Sequence, residues 1–227
     1  MPNLINEADA NEIRRHFETN LTDPVELDLY LAPDHKIIVA GRQDCEYCQE
    51  TRQLLTELSG LTDKLTLRVH EIEPGSEEAV ATGVEEVPAI VIHGKNKGNV
   101  RFLGIPSGYE FATLLASIVD ASKGTPQLSD DTIAALNALD QDVHIRVFVT
   151  PTCPYCPSVA HTAHKMAASN SRIKADVVEV SEFPDMGNRF RVRGVPKTVI
   201  NGSVEFVGAQ PEAAFLNYLK QAVVPQA

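Results

Sequence analysis

Several features that mark other classes of protein are scarce or absent in this sequence of 227 residues. Lys and Arg number 20 against 31 Asp and Glu, and the formal net charge is −11. This argues against nucleic acid or an anionic membrane as the partner, because both require a basic surface. No apolar run reaches the roughly 20 residues of a membrane-spanning helix. The segment Met1 to Glu12 lacks the basic and apolar regions of a secretory signal, so we expect a cytoplasmic protein.

Cysteine is also rare, and this makes its placement informative. The four cysteines are too few for the disulfide framework of a small secreted domain. All of them lie in two C-x-x-C motifs, Cys45-Glu46-Tyr47-Cys48 and Cys153-Pro154-Tyr155-Cys156. Such pairs in a cytosolic protein carry out redox chemistry or bind metal. Zinc-binding pairs usually lie about 15–20 residues apart, whereas these motifs are separated by 108 residues. We therefore predict redox-active disulfides, with no metal and no other cofactor.

The two motifs belong to an internal repeat with an offset of 108 residues. Each first cysteine is followed 43 residues later by a proline, Pro88 or Pro196. Beyond these prolines the offset falls to 104, because the first copy has four more residues in its Gly94–Gly98 turn. The sequence therefore predicts an α/β fold of two tandem units, each with a mixed central sheet flanked by helices, with boundaries 1–122 and 123–227.

Each unit is predicted to run strand, helix, strand, helix, strand, strand, helix, after a leader helix. The first strands are predicted at Lys36–Ala40 and Val143–Thr150, since both are short β-branched runs just ahead of a motif. Val25–Leu31 alternates apolar and polar residues, and we interpret it as an extra strand of the first unit. The leader helices are predicted at Asn6–Asn20 and Ser129–Leu139.

The placement of each motif between a strand and a helix suggests how the cysteines divide their roles. A first cysteine at a helix start meets free backbone N–H groups and the positive end of the helix dipole, which favour thiolate over thiol. Cys45 and Cys153 are therefore predicted to attack disulfides. Cys48 and Cys156, one turn into the helix and more buried, are predicted to resolve the mixed disulfide.

A Val-Pro pair in each unit is the predicted substrate-binding element. A proline that opens a strand cannot donate a ladder hydrogen bond. The shared spacing of Val87-Pro88 and Val195-Pro196 from the motifs predicts two cis prolines beside the dithiols. The preceding backbone would then be free to pair with an extended substrate. Tyr47 and Tyr155 recur within the motifs and are predicted to line the substrate groove or to cover the helix start.

This arrangement resembles the thioredoxin and glutaredoxin fold, and Cys153-Pro154-Tyr155-Cys156 is similar to the glutaredoxin dithiol. Two such units resemble the glutaredoxin-like protein disulfide oxidoreductases of thermophilic archaea and bacteria. The resemblance implies an intracellular enzyme that oxidises, reduces and isomerises protein disulfides, with a thioredoxin-reductase-like flavoprotein as electron donor. The chain departs from thioredoxin in having no Trp. It also has Val39 and Val147 where thioredoxins and the isomerases place a buried, proton-accepting acid.

Two other functions remain open from the sequence. The first is a dedicated electron carrier that passes electrons between its dithiols and on to a peroxiredoxin. The second is a metal or iron–sulfur scaffold without enzyme activity.

Charged residues around the two motifs predict that the two dithiols differ. The first is surrounded mainly by acids, and the second has basic residues at corresponding positions. The residues that carry this contrast are Glu46, Glu85 and Glu86 in the first unit, and Arg193 and Lys197 in the second. Positive charge stabilises a thiolate and makes the disulfide more oxidising. The Cys153–Cys156 pair is therefore predicted to be the more oxidising and the more active one.

Overall fold

The computed structural model describes residues 3–33, 45–73 and 75–223. The elements of the first unit are α1 (Glu7–Asn20), β1 (Val25–Leu31), α2 (Cys48–Ser59), β2 (Leu65–Glu71), α3 (Glu77–Thr82), β3 (Ala89–His93), β4 (Asn99–Leu103) and α4 (Glu110–Lys123). Those of the second unit are α5 (Asp130–Asn137), β5 (Val143–Val149), α6 (Cys156–Ser169), β6 (Ile173–Glu179), α7 (Pro184–Arg189), β7 (Lys197–Ile200), β8 (Val204–Val207) and α8 (Glu212–Val223). The predicted fold class is confirmed, and so is the predicted order of elements in the second unit.

The two leader helices begin where their capping residues predict. Asn6 accepts a hydrogen bond from Asp9 N at the start of α1, and Ser129 accepts one from Thr132 N at the start of α5. These side chains occupy backbone donors that the first helical turn leaves free. None of the helices within the described ranges is long and apolar enough to cross a membrane.

The central strand of the first unit is not the one that the sequence predicted. β1 lies between β2 and β3, parallel to the first and antiparallel to the second, as β5 lies between β6 and β7. Val25 pairs with Leu65 as Val143 pairs with Ile173, so β1 and β5 correspond at an offset of 118 residues. Val25–Leu31 is therefore the core strand of its unit, which corrects its interpretation as an extra strand. The predicted strand Lys36–Ala40 lies outside the described residues.

The rest of the repeat follows the predicted alignment. The α2 and α6 helices begin at Cys48 and Cys156, again 108 residues apart. In the hairpins, Ala89 pairs with Leu103 and Lys197 with Val207, so the offset falls from 108 to 104 across the turn. The first unit thus has ten more residues than the second between its core strand and its dithiol.

One continuous sheet joins the two units. Its order is β2-β1-β3-β4-β6-β5-β7-β8, with β4 and β6 parallel at the seam. Across the seam Arg101 donates to both carboxylate oxygens of Asp176, at 2.6 and 2.9 Å, and both side chains are almost fully buried. Burial alone would raise the pKa of Asp176, but hydrogen bonds from His144 and Arg101 bring it below its usual value. The carboxylate therefore stays ionised. Removing Arg101 would leave it with His144 alone, and removing Asp176 would take from the buried Arg101 its counter-charge.

The α4 and α6 helices pack together on one face of this sheet. Within their interface Ser117 Oγ lies 2.7 Å from Nδ1 of His164, and Nε2 of the same imidazole lies 2.9 Å from Arg101 O. Burial lowers the pKa of His164 to about 4, so the ring is neutral at neutral pH. A buried polar group with both nitrogens satisfied fixes how the two helices meet.

Candidate active site

Both dithiols lie at the same edge of the sheet. The strand pairings make β1, β2, β4, β5 and β6 run in one direction, so their carboxyl ends share one edge. At that edge Thr150, just after β5, accepts a hydrogen bond from Cys153 N at 3.1 Å. The phenol of Tyr47 interacts electrostatically with Glu182 and Glu179, which places the first dithiol near the end of β6. β1 and β5 are four strand steps apart, about 19 Å.

Each C-x-x-C pair is a disulfide whose Cα atoms are 5.4 Å apart in the first unit and 5.5 Å in the second. The helices begin at the second cysteine of each pair rather than at the first, with Tyr47 and Tyr155 as N-cap residues. This corrects the predicted helix start by three residues.

The two cysteines of each pair differ in their exposure to solvent. Cys48 is 4% exposed and Cys156 is fully buried, whereas Cys153 is 8% exposed and Cys45 is half-buried. The second cysteine is thus the more enclosed one in both units, as predicted. This burial is compatible with the predicted roles, in which the first cysteine attacks and the second resolves.

The two Val-Pro pairs adopt the same local structure. Both peptide bonds, Val87-Pro88 and Val195-Pro196, are cis, as predicted. Pro88 O accepts a hydrogen bond from Gly104 N at 2.8 Å, and Pro196 O accepts one from Gly208 N at 2.8 Å. Among the described residues, the backbones of the two valines make no hydrogen bond. Their peptide groups are therefore available to an extended substrate, the role predicted for them.

A buried acid of the first unit lies at the start of α4, the helix that packs against α6. Glu110 begins α4 and is fully buried, and within the described residues neither carboxylate oxygen has a hydrogen-bond partner. Burial raises the pKa of Glu110 to about 7, and Thr113 offsets part of the rise, although no hydrogen bond of normal geometry joins the two. An unpaired acid in this state can accept or release a proton near neutral pH.

The position of Glu110 follows from how α4 and α6 run. The backbone N–H of Tyr109 donates to Pro151 O at 3.0 Å, so α4 begins against the loop that carries Cys153. At the opposite ends of the two helices, Ala121 O and Ala168 O accept hydrogen bonds from the same β3–β4 turn. The helices are therefore side by side and point the same way. The first turn of α4, with its buried carboxyl, adjoins the first turn of α6, where Cys156 lies.

Acids of the second unit lie beside the first dithiol. Glu182 follows β6, and its Oε1 accepts a hydrogen bond from Ile105 N at 2.6 Å. Burial raises the pKa of Glu182 to about 7, and the charges of Glu179 and Glu46 add to the rise. The charge of Glu46 is the largest cause of the raised pKa of the Tyr47 phenol. Each unit therefore contributes an acid, with its pKa raised to about 7, to the sheet edge at which the dithiol of the other unit lies.

Among the charged residues predicted to tune the two sites, some form ion pairs or are buried, and others are exposed. Glu85 forms an ion pair with Arg146 of the second unit at 3.4 Å. Burial, followed by the charges of Glu85 and Asp185, raises the pKa of Glu86. The buried ammonium of Lys197 donates to Phe190 O at 2.8 Å and pairs with Glu205 at 2.8 Å, while Arg193 is exposed. Of the residues predicted to make the two sites differ, Glu46, Glu86 and Arg193 are thus the ones for which no ion pair is found within the described residues.

The sequence interpretation missed Glu110 and Glu182. Glu110 lies 43 residues before Cys153 and in the other unit, and an acid in a first helical turn is usually explained by the helix dipole. No local pattern marks either residue as buried. The available signal was the absence of an acid at Val39 and Val147, which indicated that a proton acceptor had to come from elsewhere.

Comparison with known proteins agrees with this geometry. The family model for a thioredoxin domain matches residues 35–116 and 143–221. A solved structure of a protein disulfide oxidoreductase from Aeropyrum pernix K1 is 32% identical, with a TM-score of 0.83. It covers 96% of this chain and 94% of its own. The alkyl hydroperoxide reductase component AhpF from Enterococcus faecalis is 25% identical, with a TM-score of 0.80, over 94% of this chain and 98% of that chain.

Relatives in sequence include the same reductase component from two other bacteria. The Pseudomonas aeruginosa protein is 27% identical over 167 residues, which are 74% of this chain and 30% of that protein. The Escherichia coli K12 protein is 26% identical over 182 residues, which are 80% of this chain and 31% of that protein. The chain therefore spans about a third of the length of these relatives.

Proposed function

Because the chain belongs to the two-unit thioredoxin-fold family of disulfide oxidoreductases, we propose that it exchanges disulfides with client proteins at two sites. The observation that carries the proposal is the pair of C-x-x-C disulfides at one sheet edge, each with an enclosed second cysteine and, in the same unit, a cis Val-Pro pair whose valine backbone makes no hydrogen bond among the described residues. Reduction, formation and isomerisation of client disulfides all use this chemistry. The direction depends on the reduction potential of the client relative to the dithiol.

The second dithiol reduces a client in two steps. The Cys153 thiolate attacks one sulfur of the client disulfide, the client S–S bond breaks, and the other client sulfur leaves as a thiolate. Cys156 then loses its proton and attacks the Cys153 sulfur of the mixed disulfide. The remaining client sulfur is released as a thiolate, and the Cys153–Cys156 disulfide forms. The client gains two electrons and the dithiol loses two.

Glu110 is the proton acceptor that this second step requires. The Cys156 thiol is fully buried, so bulk water cannot reach its proton readily. A neighbouring carboxylate with a pKa of about 7 can take the proton at neutral pH. It can return the proton when the dithiol oxidises a client. Glu182 is the corresponding candidate at the first dithiol, where it reaches the site from the second unit.

The second dithiol is proposed to be the more oxidising one. Glu46 lies within the first motif, and Glu179 and Glu182 add negative charge near it. Arg193 is the exposed cation predicted to favour the Cys153 thiolate. Negative charge near a thiolate destabilises the reduced form, so the first disulfide is harder to reduce.

An electron carrier that serves a peroxiredoxin is the second candidate function. It is favoured by the sequence relatives, which are components of alkyl hydroperoxide reductases. A relay from one dithiol to the other would require their sulfur atoms to come into contact, since disulfide exchange is the direct attack of one sulfur on another. A thioredoxin-reductase-like flavoprotein is the proposed electron donor in both cases.

Insulin reduction and refolding of scrambled ribonuclease test the proposal, with each dithiol changed to serine in turn. We expect each single-site variant to keep part of both activities and the variant without both dithiols to lose them. Activity that survives loss of all four cysteines would contradict the proposal. A second assay measures peroxide consumption in the presence of a peroxiredoxin and a flavoprotein reductase. An electron carrier should support fast peroxide consumption and slow insulin reduction.

A further inference from the structure

Two aromatic side chains at the second dithiol are exposed to solvent. Tyr155, within the motif, is 68% exposed, and Tyr109, the N-cap residue of α4, is 54% exposed. Tyr109 N donates to Pro151 O at 3.0 Å. Pro151 precedes Cys153 by two residues, which span at most about 7 Å. The first unit therefore contributes an exposed aromatic residue to the rim of the dithiol in the second unit.

The position of Tyr109 is fixed by a close backbone approach. Gly108 has a φ of 59°, and a Cβ atom placed on it would lie 2.3 Å from Pro151 O. Only glycine permits both the conformation and the approach. The loop thus holds Tyr109 against the Pro151 turn before any client arrives, and a contact surface that is already ordered loses less entropy on binding.

The first dithiol is different in the described part of the chain. Its counterpart Tyr47 is half-buried, and it lies next to the carboxylates of Glu46 and Glu182 rather than next to a second exposed ring. A large amphipathic ring in solvent is typical of a recognition surface, because it buries much apolar area with few rotatable bonds. The two sites therefore offer different surfaces to a client.

We propose that Tyr109 and Tyr155 form a client-binding surface for apolar residues next to the client cysteine that becomes joined to Cys153. This inference rests on the proposed function and names its substrate class: clients whose reactive cysteine has aliphatic or aromatic neighbours. The disulfide exchange at Cys153 identifies what binds to this surface. A segment joined to Cys153 by a disulfide must lie against the residues around that sulfur, and these two rings are exposed there.

The test uses two short peptides, each with one cysteine in a disulfide with thionitrobenzoate. One cysteine is flanked by Leu and Phe, and the other by Ser and Gly. The reduced protein, in the full-length Cys45→Ser/Cys48→Ser background, attacks the peptide sulfur and releases the coloured reporter thiolate. Cys156 then displaces the peptide as a thiolate. We expect Tyr109→Ser to lower the second-order rate constant of reporter release from the apolar peptide about three- to tenfold, the range for lost aromatic contacts.

The same substitution should leave the polar peptide and oxidised glutathione within about twofold of the background, and Tyr109→Phe should keep the preference. Val80→Ser, which removes a 75% exposed apolar side chain from α3, is the matched control and should change nothing. Tyr109→Ser should also have no effect when only the first dithiol is left. An equal loss for both peptides, or no loss for either, would overturn the assignment. Failure of every variant to react, with oxidised glutathione included, would overturn the proposed function itself.

Discussion

Replacing Glu110 by Gln tests the buried acid directly. The carboxyl is fully buried and has no hydrogen-bond partner within the described residues. Gln has nearly the same size and does not ionise. The substitution therefore removes the proton-accepting ability and the cost of burying a charge, and it leaves the packing at the start of α4 nearly unchanged.

The expected change in stability follows from the pKa of Glu110, which rises from 4.5 to about 7 on folding. A raised carboxyl pKa favours the protonated folded state. Its contribution to stability is fully present below pH 4.5 and is lost as the pH rises through about 7. The difference corresponds to about 3 kcal/mol at pH 8. For a chain of this size that is roughly 6–12 °C in Tm.

Urea unfolding of the oxidised protein at pH 5 and pH 8 measures this effect. We expect the free energy of unfolding of wild type to fall by about 2–3 kcal/mol relative to Glu110→Gln between these pH values. Glu18→Gln, the same change at an exposed position of α1, should follow wild type. The reduced variant should also resolve the Cys153 mixed disulfide at least about tenfold more slowly at pH 7, since a general base is lost. Identical pH dependence of stability in wild type and Glu110→Gln would refute the reasoning.

Three further outcomes are expected. Glutathione titration of single-site variants should show the Cys153 pair to be more oxidising than the Cys45 pair by about 30 mV or more, a tenfold difference in equilibrium; a more oxidising first pair would contradict the charge argument. Glu182→Gln should raise the potential of the first pair by on the order of 10–20 mV at pH 8 and less at pH 6, because only the ionised carboxylate opposes the Cys45 thiolate. A fragment of residues 123–227 should unfold at lower urea than the full chain or aggregate, as followed by circular dichroism and light scattering, because it exposes the β6 edge and leaves the Asp176 carboxylate without Arg101.

The sequence predicted the elements that depend on local patterns. Periodicity and capping residues located the helices, and the equal spacing of Pro88 and Pro196 from the dithiols identified two equivalent cis bonds. The sequence did not identify the core strand of the first unit, because two apolar runs precede Cys45. The nearer run, Lys36–Ala40, fits the repeat offset of 108 and was therefore predicted to be that strand. The strand order shows that the more distant run, Val25–Leu31, is the core strand.

The seam between the units left a weaker signal in the sequence. Arg101 and Asp176 are charged residues in the middle of apolar strands, and a buried charge requires a partner. Each strand alone indicates that a partner exists without identifying it, because the partner lies 75 residues away. The pairing of β4 with β6 became evident only from the three-dimensional arrangement.

The linear order of the sheet makes the two sites unequal even where the repeat is symmetric. The loop after β4 reaches the second dithiol and supplies Tyr109 and Glu110, whereas the corresponding loop after β8 lies at an end of the sheet. The loop after β6 supplies Glu182 near the first dithiol, whereas the loop after β2 lies at the other end. Each site is thus completed by a loop from the other unit. The corresponding loop in the repeat lies at an end of the sheet, where there is no neighbouring unit. A substitution in one unit therefore changes the surroundings of the dithiol in the other, and this is why the two sites have different acids near them.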